Sequence, residues 1–465
     1  MEFNVKEFLK ATGAKVIREG AEASCAGIAT DTRTIKPGEL FFALKGPHFD
    51  GQKFCETAIK NGAWGVVVSV VHSPWSMVHS PAWIFQVPDT LKALGDIAQW
   101  WRQRFDIPCV AITGSNGKTT TKEMTASIFS TKWNTLKTEG NFNNLIGLPL
   151  MLNQLNKNHQ AAVFEIGMNA FGEIQRLTEI ADPTVGAVTN ASAAHLEKLQ
   201  TVESVASAKA ELYKTMSPKG IAVYNAEDPF LSKQVQSFKG KKISFGMGSK
   251  CDVRFEHMES VGFDSMELKI SVQGKLLEAK LKTTGTHNVM NVMTACAIAM
   301  GLDLPVEAMK KGLENFKPLK MRFEQIQLTN GVRLVNDAYN ANPPSMEAAF
   351  RTVGSAKRGG RFIAVLGDMK ELGDASEELH KEVGKKAVEQ GVSKLFVIGE
   401  FAKHFAEGAL QAGLPQESIT IAENETALAQ KIMPDLKAGD VVLVKGSRAM
   451  HLETIVDALK ERFGM

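Results

Sequence analysis

The 465-residue sequence lacks several features that would assign it to a class at once. Its 54 basic and 51 acidic residues leave a net charge of +3, so it has no charge excess typical of nucleic-acid-binding proteins. No apolar run is long enough to cross a membrane, and the N-terminus alternates charged with apolar residues, unlike a signal peptide. The five cysteines lack CxxC spacing, which favours buried thiols in a reducing compartment. We therefore expect a cytoplasmic protein that neither binds nucleic acid nor inserts into a membrane.

The length and the order of apolar segments predict an α/β protein with three domains. A typical domain has roughly 150 residues, which suggests about three. Residues 1–105 mix short strands with helices and predict a small α/β domain. In residues 106–312, buried strands separated by helix-length segments predict a parallel sheet, with an antiparallel hairpin turning at Gln273-Gly274. Residues 313–465 contain four apolar strands between helices, which predicts a Rossmann-like domain.

The segment TGSNGKTT at 113–120 is the strongest local signal for chemistry. A buried strand precedes it and a helical pattern follows, so its backbone N–H groups would surround a phosphate at a helix start. In that geometry Lys118 reaches the β- and γ-phosphates of ATP, and the Thr119 hydroxyl binds Mg²⁺. The general P-loop has a glycine where Ile112 stands, which disfavours GTPases and kinases and points to a narrower group of ATP-dependent ligases. The alternative is a chance turn before a helix.

Three residues further along are candidates whose chemistry depends on their partners. Glu165 lies at the end of a predicted strand, where an acid is costly to bury unless it has a role such as holding Mg²⁺. A solvated strand edge is the alternative. His195 follows the next predicted strand, and by itself it is more typical of a structural or surface histidine than of a ligand. Lys209 lies on a predicted helix and by itself is typical of a surface residue.

Five sequence blocks, taken in order, resemble the Mur ligases, cytosolic enzymes that add amino acids to the UDP-N-acetylmuramoyl precursor of the bacterial cell wall. The blocks are TGSNGKTT at 113–120, FEIGMNAFGE at 164–173, NASAAHLE at 190–197, THNVMNVMTA at 286–295, and MRFE at 321–324 followed by NDAYNANPPSM at 336–346. The resemblance covers nearly the whole chain. It implies that the first domain binds the UDP-linked substrate, the central P-loop ATPase-like domain binds ATP, and the third binds the incoming amine.

The resemblance also implies roles for individual residues. The ATP phosphates are expected on Gly114, Ser115, Asn116, Gly117, Lys118, Thr119 and Thr120. Asn288 and Asn291 are expected to contact the adenine, and Arg322 and Asp337 to reach the γ-phosphate and the ribose. Metal ligands are expected at Thr119, Glu165, His195 and Lys209, the last as a carbamate. Catalytic roles are expected for Lys118, His195, Lys209 and Arg322. Substrate contacts are expected from Asp31, Thr32, Arg33, Asn141, Asn340, Asn342 and Lys445.

Within the family, the blocks NDAYNANP, TEGNFNN at 138–144 and KGSR at 445–448 are similar to the members that join D-alanyl-D-alanine to UDP-N-acetylmuramoyl-tripeptide. The implied reaction uses ATP and Mg²⁺, passes through an acyl phosphate, and gives the UDP-muramoyl-pentapeptide precursor of peptidoglycan with ADP and phosphate. A monomer is expected. The alternatives are a related ligase (folylpolyglutamate synthase, or the Mur enzyme that adds the third residue), a P-loop kinase or GTPase, and a non-catalytic nucleotide-binding protein.

Overall fold

Three main β-sheets follow one another along the chain, and helices pack against them. The computed structural model describes residues 1–47, 49–70, 81–261, 264–357 and 359–464. The main sheets have five, nine and six strands, and each comes from a continuous stretch of the sequence. This three-domain α/β architecture confirms the predicted fold class. Within the described ranges, no helix combines the length and the apolar character needed to span a bilayer.

The N-terminal domain has short strands and three helices. Its strands are β1 (Phe3–Asn4), β2 (Lys15–Arg18), β3 (Ser24–Cys25), β4 (Gly27–Ala29), β5 (Glu39–Phe42), β6 (Lys45–Gly46), β7 (Phe49–Asp50), β8 (Gly65–Val68) and β9 (Trp83–Gln86). Its helices are α1 (Val5–Thr12), α2 (Cys55–Lys60) and α3 (Thr90–Arg102). The main sheet has the order β2-β9-β8-β5-β4. Strand β2 pairs with β9 in antiparallel orientation, and the other three pairings are parallel.

The central domain contains the nine-stranded sheet. Its strands are β10 (Cys109–Thr113), β11 (Thr135–Lys137), β12 (Ala161–Glu165), β13 (Val185–Val188), β14 (Ile221–Asn225), β15 (Lys241–Gly246), β16 (Val253–Val261), β17 (Ser265–Val272) and β18 (Lys275–Leu281). Its helices are α4 (Lys118–Phe129), α5 (Gly147–Asn153), α6 (Glu173–Ala181), α7 (Leu196–Leu199), α8 (Val202–Lys209), α9 (Glu211–Thr215), α10 (Pro229–Gln234), α11 (Thr286–Gly301) and α12 (Val306–Asn315). The strand order is β11-β12-β10-β13-β14-β15-β16-β17-β18.

Strand β10 is fully buried and pairs in parallel with β12 on one side and β13 on the other. In this register Ile112 lies beside Glu165, and Thr113 lies beside Val188. The carboxyl ends of the three strands therefore meet at one edge of the sheet, which is where parallel α/β sheets bind ligands. At the other end of the sheet, β17 and β18 form the predicted antiparallel hairpin, with positive φ at both Gln273 and Gly274.

The third domain is a second open sheet. Its strands are β19 (Glu324–Gln327), β20 (Arg333–Asp337), β21 (Phe362–Gly367), β22 (Lys394–Ile398), β23 (Ile419–Ala422) and β24 (Val441–Lys445). Its helices are α13 (Pro343–Ala356), α14 (Ser376–Glu389), α15 (Ala402–Gln411), α16 (Glu425–Ile432) and α17 (Glu453–Phe463). The order is β19-β20-β24-β21-β22-β23, antiparallel only between β19 and β20.

The four strands predicted for this domain are β21 to β24, and the prediction missed β19 and β20. Strand β19 has the sequence EQIQ, with a single apolar residue, so no apolar run marks it. Strand β20, RLVND, is apolar only at its centre. This omission affects the site, because β20 ends on Asp337 and pairs with β24 so that Asp337 lies beside Lys445.

Candidate active site

The loop between β10 and α4 depends on two glycines with positive φ, namely +151° at Gly114 and +80° at Gly117. A Cβ on Gly114 would lie 1.9 Å from the Thr189 hydroxyl oxygen, and one on Gly117 would lie 2.1 Å from Asn291 Oδ1. Only glycine fits at either place. No side chain caps α4 at Gly117, so the first backbone N–H groups of this helix are available to an anion. The predicted strand, tight loop and helix are present.

Lys118 is the first residue of α4 and is partly buried. Its Nζ donates hydrogen bonds to the backbone oxygens of Gly114, at 2.7 Å, and Ser115, at 3.4 Å. Burial lowers the pKa of Lys118, the nearby Glu165 carboxylate opposes that change, and the charge of Arg322 adds to it. The ammonium group therefore lies over the loop, close to charged side chains of two domains.

A cleft of about 800 Å³ opens beside this loop, and residues of the central and third domains line it. Ser115, Asn116, Thr119 and Thr120 lie on its central-domain side. The Asn116 backbone N–H donates to Asn190 Oδ1 at 3.0 Å, which ties the loop to the segment after β13. The predicted phosphate-loop residues are thus brought together on one wall of the cleft.

Glu165 is the last residue of β12, and only 3% of it is exposed. Its Oε1 accepts a hydrogen bond from Asn143 Nδ2 at 2.9 Å, while its Oε2 is buried with no hydrogen-bond partner among the described residues. A buried carboxylate oxygen without a partner is costly, and a cation would offset that cost. Glu165 is therefore not at a solvated strand edge, and it fits the ligand chemistry of Mg²⁺.

No three acidic, histidine or cysteine side chains within the described ranges converge on one metal-sized position. Mg²⁺ commonly binds through one or two carboxylates together with substrate phosphates, rather than in an all-protein cage. Glu165, with the Thr119 hydroxyl also lining the cleft, matches that pattern. The residues present therefore fit a cation that arrives with a nucleotide.

His195 and Lys209 both line the cleft, and neither is an ordinary surface residue. His195 has a left-handed backbone, with φ +57°, and its Nδ1 lies 2.5 Å from Oε2 of Glu371 in the third domain. The hydrogen bond from His195 holds the pKa of Glu371 below its usual value. Lys209 ends α8 and is 1% exposed. Burial, with the charge of Lys118 acting in the same direction, holds the pKa of Lys209 well below its usual value.

Asn288 and Asn291 lie one turn apart on α11 and are both buried at the cleft. Asn291 Nδ2 donates to Asn288 Oδ1 at 3.1 Å, and its own Oδ1 accepts from the Thr121 hydroxyl at 3.3 Å. Asn288 Nδ2 donates to the Thr284 backbone oxygen at 2.8 Å. The pair therefore packs α11 against the start of α4, beside the phosphate loop.

Arg322 lies in the segment that leads into β19 and faces the cleft from the third domain. Its guanidinium carbon is 4.0 Å from the centre of the Tyr339 ring, a cation–π stack that fixes the side chain. The residues on either side, Met321 and Phe323, have positive φ of +59° and +53°. Backbone conformations of this kind are costly and concentrate at functional sites.

Asp337 and Lys445 end the adjacent strands β20 and β24 and form an ion pair, with Nζ and Oδ2 2.5 Å apart, in which Lys445 is buried and Asp337 is partly buried. Lys445 Nζ also donates to the Asn340 backbone oxygen at 3.0 Å. The Phe323 backbone N–H donates to Asp337 Oδ1 at 3.0 Å, which links this pair to the segment that carries Arg322. The three predicted positions Asp337, Asn340 and Lys445 thus lie together in the cleft.

Among the described residues, side-chain hydrogen bonds join the central and third domains across the cleft at two places. Asn342, which caps α13, donates from Nδ2 to Asn116 Oδ1 of the phosphate loop at 2.8 Å. The second contact is that of His195 with Glu371. Asn342 was predicted to contact substrate; it lines the cleft, and its side chain joins the two domains at the phosphate loop.

The predicted uridine-site residues lie apart from this cleft. Arg33 pairs with Asp31 at 2.6 Å on the surface after β4, and the Thr32 backbone oxygen accepts from Asn61 Nδ2 at 2.8 Å. None of the three is among the described residues that line the cleft. Asn141 does line it, on the central-domain side. Of the predicted substrate residues, only Asp31, Thr32 and Arg33 are therefore separate from the phosphate loop.

Tyr339, Glu371 and His287 are among the cleft residues for which the sequence predicted no role. His287 packs edge-on against Phe323, with ring centres 5.8 Å apart, and burial lowers its pKa to about 4. Its Nδ1 is buried with no hydrogen-bond partner among the described residues. Glu371 lies beyond the end of β21, whereas Glu165 was indicated as an acid within a predicted strand, so that signal did not extend to Glu371.

A P-loop domain and a Rossmann-like domain place cationic side chains around one cleft, an arrangement that suits the phosphoryl transfer of an ATP-dependent ligase. Sequence and structure comparisons agree. Profiles described as Mur ligase family, catalytic domain, as Mur ligase middle domain, and as Mur ligase, glutamate ligase domain match residues 24–101, 112–299 and 321–448. The chain belongs to the Mur ligase family.

Three similar proteins match nearly the whole chain. UDP-N-acetylmuramoyl-tripeptide--D-alanyl-D-alanine ligase of Bacillus subtilis (strain 168) is 35% identical over 98% of each chain. The crystal structure of MurF from Acinetobacter baumannii has a TM-score of 0.90 at 30% identity and covers 99% of each chain. MurF ligase from Thermotoga maritima, in complex with ADP, has a TM-score of 0.83 at 28% identity, covering 94% of this chain and 98% of that one.

Proposed function

We propose that this chain is a cytoplasmic, ATP-dependent ligase that joins D-alanyl-D-alanine to UDP-N-acetylmuramoyl-tripeptide, giving the UDP-muramoyl-pentapeptide precursor of peptidoglycan, ADP and phosphate. The observation that carries the proposal is the cleft in which Lys118 and Arg322, from two domains, lie beside a phosphate-binding loop. Full-length similarity to proteins named for this reaction supports the choice of substrates.

The reaction needs ATP because a carboxylate does not react usefully with an amine at neutral pH. Transfer of the γ-phosphoryl group to a carboxylate oxygen of the tripeptide gives an acyl phosphate, which has a good leaving group. The amine of the dipeptide then attacks the carbonyl carbon and expels phosphate. In the first step two anions must meet, so the protein's main tasks are to position them and to neutralise their charge.

Lys118 and Arg322 perform that neutralisation from opposite sides of the cleft. The Lys118 ammonium now donates to two loop carbonyls. ATP phosphates would replace these neutral acceptors with charged ones, which form stronger hydrogen bonds. Arg322 is held in place by its stack on Tyr339, so it meets the developing charge without reorganising.

We assign the metal ligands as Thr119 and Glu165 for one Mg²⁺, and His195 with a carbamate on Lys209 for a second. Bound Mg²⁺ neutralises phosphate charge during transfer. The unpartnered oxygen of Glu165 supports the first assignment. The low pKa of Lys209 supports the second, because a neutral amine can attack CO₂, lose a proton and become an anionic oxygen ligand.

The remaining assignments divide the ligands among the domains. Asn288, Asn291 and Asp337 are assigned to the adenosine part of ATP, and Asn340, Asn342 and Lys445 to the incoming dipeptide. Asn141 is assigned to the UDP-linked substrate near the reacting carboxylate, and Asp31, Thr32 and Arg33 to its uridine end. The position of these last three outside the cleft suits a long substrate whose nucleotide end is anchored away from the chemistry.

The domain boundaries proposed from the sequence are 1–105, 106–312 and 313–465, and each main sheet falls inside one of these ranges. Because Lys118 and Arg322 come from different domains, movement of the third domain would complete the site and keep water from the acyl phosphate. We propose that the chain acts as a monomer.

Mass spectrometry of the products tests the proposed function. The chain is mixed with ATP, Mg²⁺, D-alanyl-D-alanine and UDP-muramoyl-tripeptides carrying either lysine or diaminopimelate, and we expect one pentapeptide with stoichiometric phosphate release. Phosphate release that does not need the dipeptide would favour a simple ATPase. Product formation with glutamate and folate, or with lysine and the dipeptide precursor, would favour one of the related ligases.

Arg322→Ala should lower kcat by about 10²-fold, because one positive charge leaves the site of phosphoryl transfer. The affinity for the uridine nucleotide should not change, since Asp31, Thr32 and Arg33 lie outside the cleft. Steady-state phosphate release and calorimetry with UDP measure the two quantities. Arg322→Lys should recover only part of the rate, because an ammonium cannot reproduce the planar stack on Tyr339. Equal losses of rate and UDP affinity would contradict the assignment.

A further inference from the structure

A short segment of the third domain, after β21, docks on the central domain at the start of α7. The Glu371 carboxylate lies 2.5 Å from His195 Nδ1. The Glu371 backbone oxygen accepts a hydrogen bond from the Glu197 N–H at 3.2 Å. A Cβ added to Gly373 would lie 3.1 Å from Glu197 Cα, so the two backbones are in close contact. Side chain and main chain therefore join the two domains at the same place.

Both sides of this contact have uncommon backbone conformations. His195 has φ +57° and Glu371 has φ +67°, although neither is a glycine. Such conformations cost roughly 1–3 kcal/mol each and persist where the surroundings hold them. These backbone conformations orient the His195 imidazole and the Glu371 carboxylate towards each other, so the contact depends on the backbone of both loops.

The contact also determines which nitrogen of the imidazole is left for other partners. In the neutral imidazole, Nδ1 carries the proton and its N–H donates a hydrogen bond to the Glu371 carboxylate, so Nε2 holds the lone pair. His195 lines the cleft, where a lone pair can bind a cation. Histidines that bind metal commonly have such a carboxylate on the second nitrogen, which fixes the tautomer and raises ligand basicity.

We propose that Glu371 is a positioning residue that sets the tautomer and orientation of His195 when the third domain docks on the central domain. Cation binding at His195 is thereby made to depend on the position of the third domain. This inference rests on the proposed function for the role of His195, and it adds a residue that acts through His195 rather than on substrate. The cation site is therefore completed when the third domain docks on the central domain.

Three variants of the full chain test the proposal. Glu371→Ala removes the acceptor, and Glu371→Gln keeps an amide oxygen that can accept from Nδ1. Glu197→Ala is the matched control, because it removes an exposed carboxylate from the same contact while its backbone N–H remains. Two measurements do not depend on turnover. The first is ¹⁵N NMR of histidine-labelled, metal-free protein, in which the His195 signal is assigned by its loss in His195→Gln. The second is Mn²⁺ titration in the presence of a non-hydrolysable ATP analogue.

We expect that in Glu371→Ala the His195 imidazole is no longer fixed in the Nδ1–H tautomer. The Mn²⁺ ion at His195 should then bind about 10–100-fold less tightly. Glu371→Gln should recover most of that affinity, and Glu197→Ala should match the wild type. An unchanged tautomer and Mn²⁺ affinity in Glu371→Ala, or an equal loss in Glu197→Ala, would overturn the proposal. Wild-type protein that forms no pentapeptide would refute the proposed function instead, and the NMR result would still decide the Glu371–His195 relation.

Discussion

Lys118→Ala is expected to lower the rate of ligation by on the order of 10³-fold or more, and to weaken ATP binding. The reason is that the ammonium group is already partly desolvated over the phosphate loop, where burial lowers its pKa. A charge in such a place stabilises an incoming phosphate more strongly than a charge in water does. Phosphate release and calorimetry with ATP and Mg²⁺ measure the two effects.

The fold should survive this substitution, because among the described residues the Lys118 ammonium donates hydrogen bonds only to the backbone oxygens of Gly114 and Ser115 in its own loop. Lys132→Ala is the matched control: it removes an exposed lysine just beyond α4, which stacks on Trp133 away from the cleft. It should keep wild-type activity. If Lys118→Ala bound ATP and released phosphate like the wild type, the assignment of the loop would be wrong.

The phosphate loop could be predicted from the sequence because its signals are local. The block at 113–120 combines a buried strand, two glycines and a helix start, and the glycines are needed for contacts that the sequence does not show. Gly114 approaches Thr189 and Gly117 approaches Asn291, residues far along the chain. The sequence therefore indicates that glycine is required, while only the fold gives the reason.

Sheet order and strand pairing were harder to predict from the sequence than the phosphate loop. The prediction found strands with apolar runs, such as β10 and β24, and missed β19 and β20, whose sequences are mostly polar. These two strands form because they pair with each other and with β24 at the sheet edge. Pairing of this kind depends on tertiary context and leaves little trace in a single sequence.

The contacts across the cleft were the least predictable part of the site. Asn342 and Asn116 are separated by 226 residues, and nothing in either local sequence indicates the other. Glu371 was missed for the same reason, since an acid after a strand gains meaning only when His195 is placed beside it. A motif can identify which residues line each side of the cleft, but the contacts between the two sides are seen only in the structure.

Lys209 is the residue whose role is indicated least by the sequence and most by the structure. On sequence alone it is typical of a surface lysine, yet it is 1% exposed and lies close enough to Lys118 to be affected by its charge. Burial and that charge both disfavour the ammonium form, so the side chain is poorly suited to act as a second cation. Conversion of its amine to a carbamate would reverse the sign of the charge and place an anion beside Lys118.

We therefore expect Lys209→Ala to lose on the order of 10³-fold in kcat, the size of effect that follows removal of one electrostatic group from a catalytic site. Added acetate should restore part of the rate, because a small carboxylate can occupy the space that the lysine leaves. ¹³C NMR of the wild type in labelled bicarbonate should show a carbamate signal that is absent from Lys209→Ala.

Lys118→Ala is the matched comparison for the acetate experiment, since it also removes one lysine from the cleft. Its defect is the loss of a cation, so acetate should give no recovery. If acetate restored neither variant and no carbamate signal appeared, Lys209 would act as a neutral amine packed under the cleft. The lowered pKa of Lys209 would then reflect only burial and the charge of Lys118, and the second cation would have to be held by His195 and substrate oxygens.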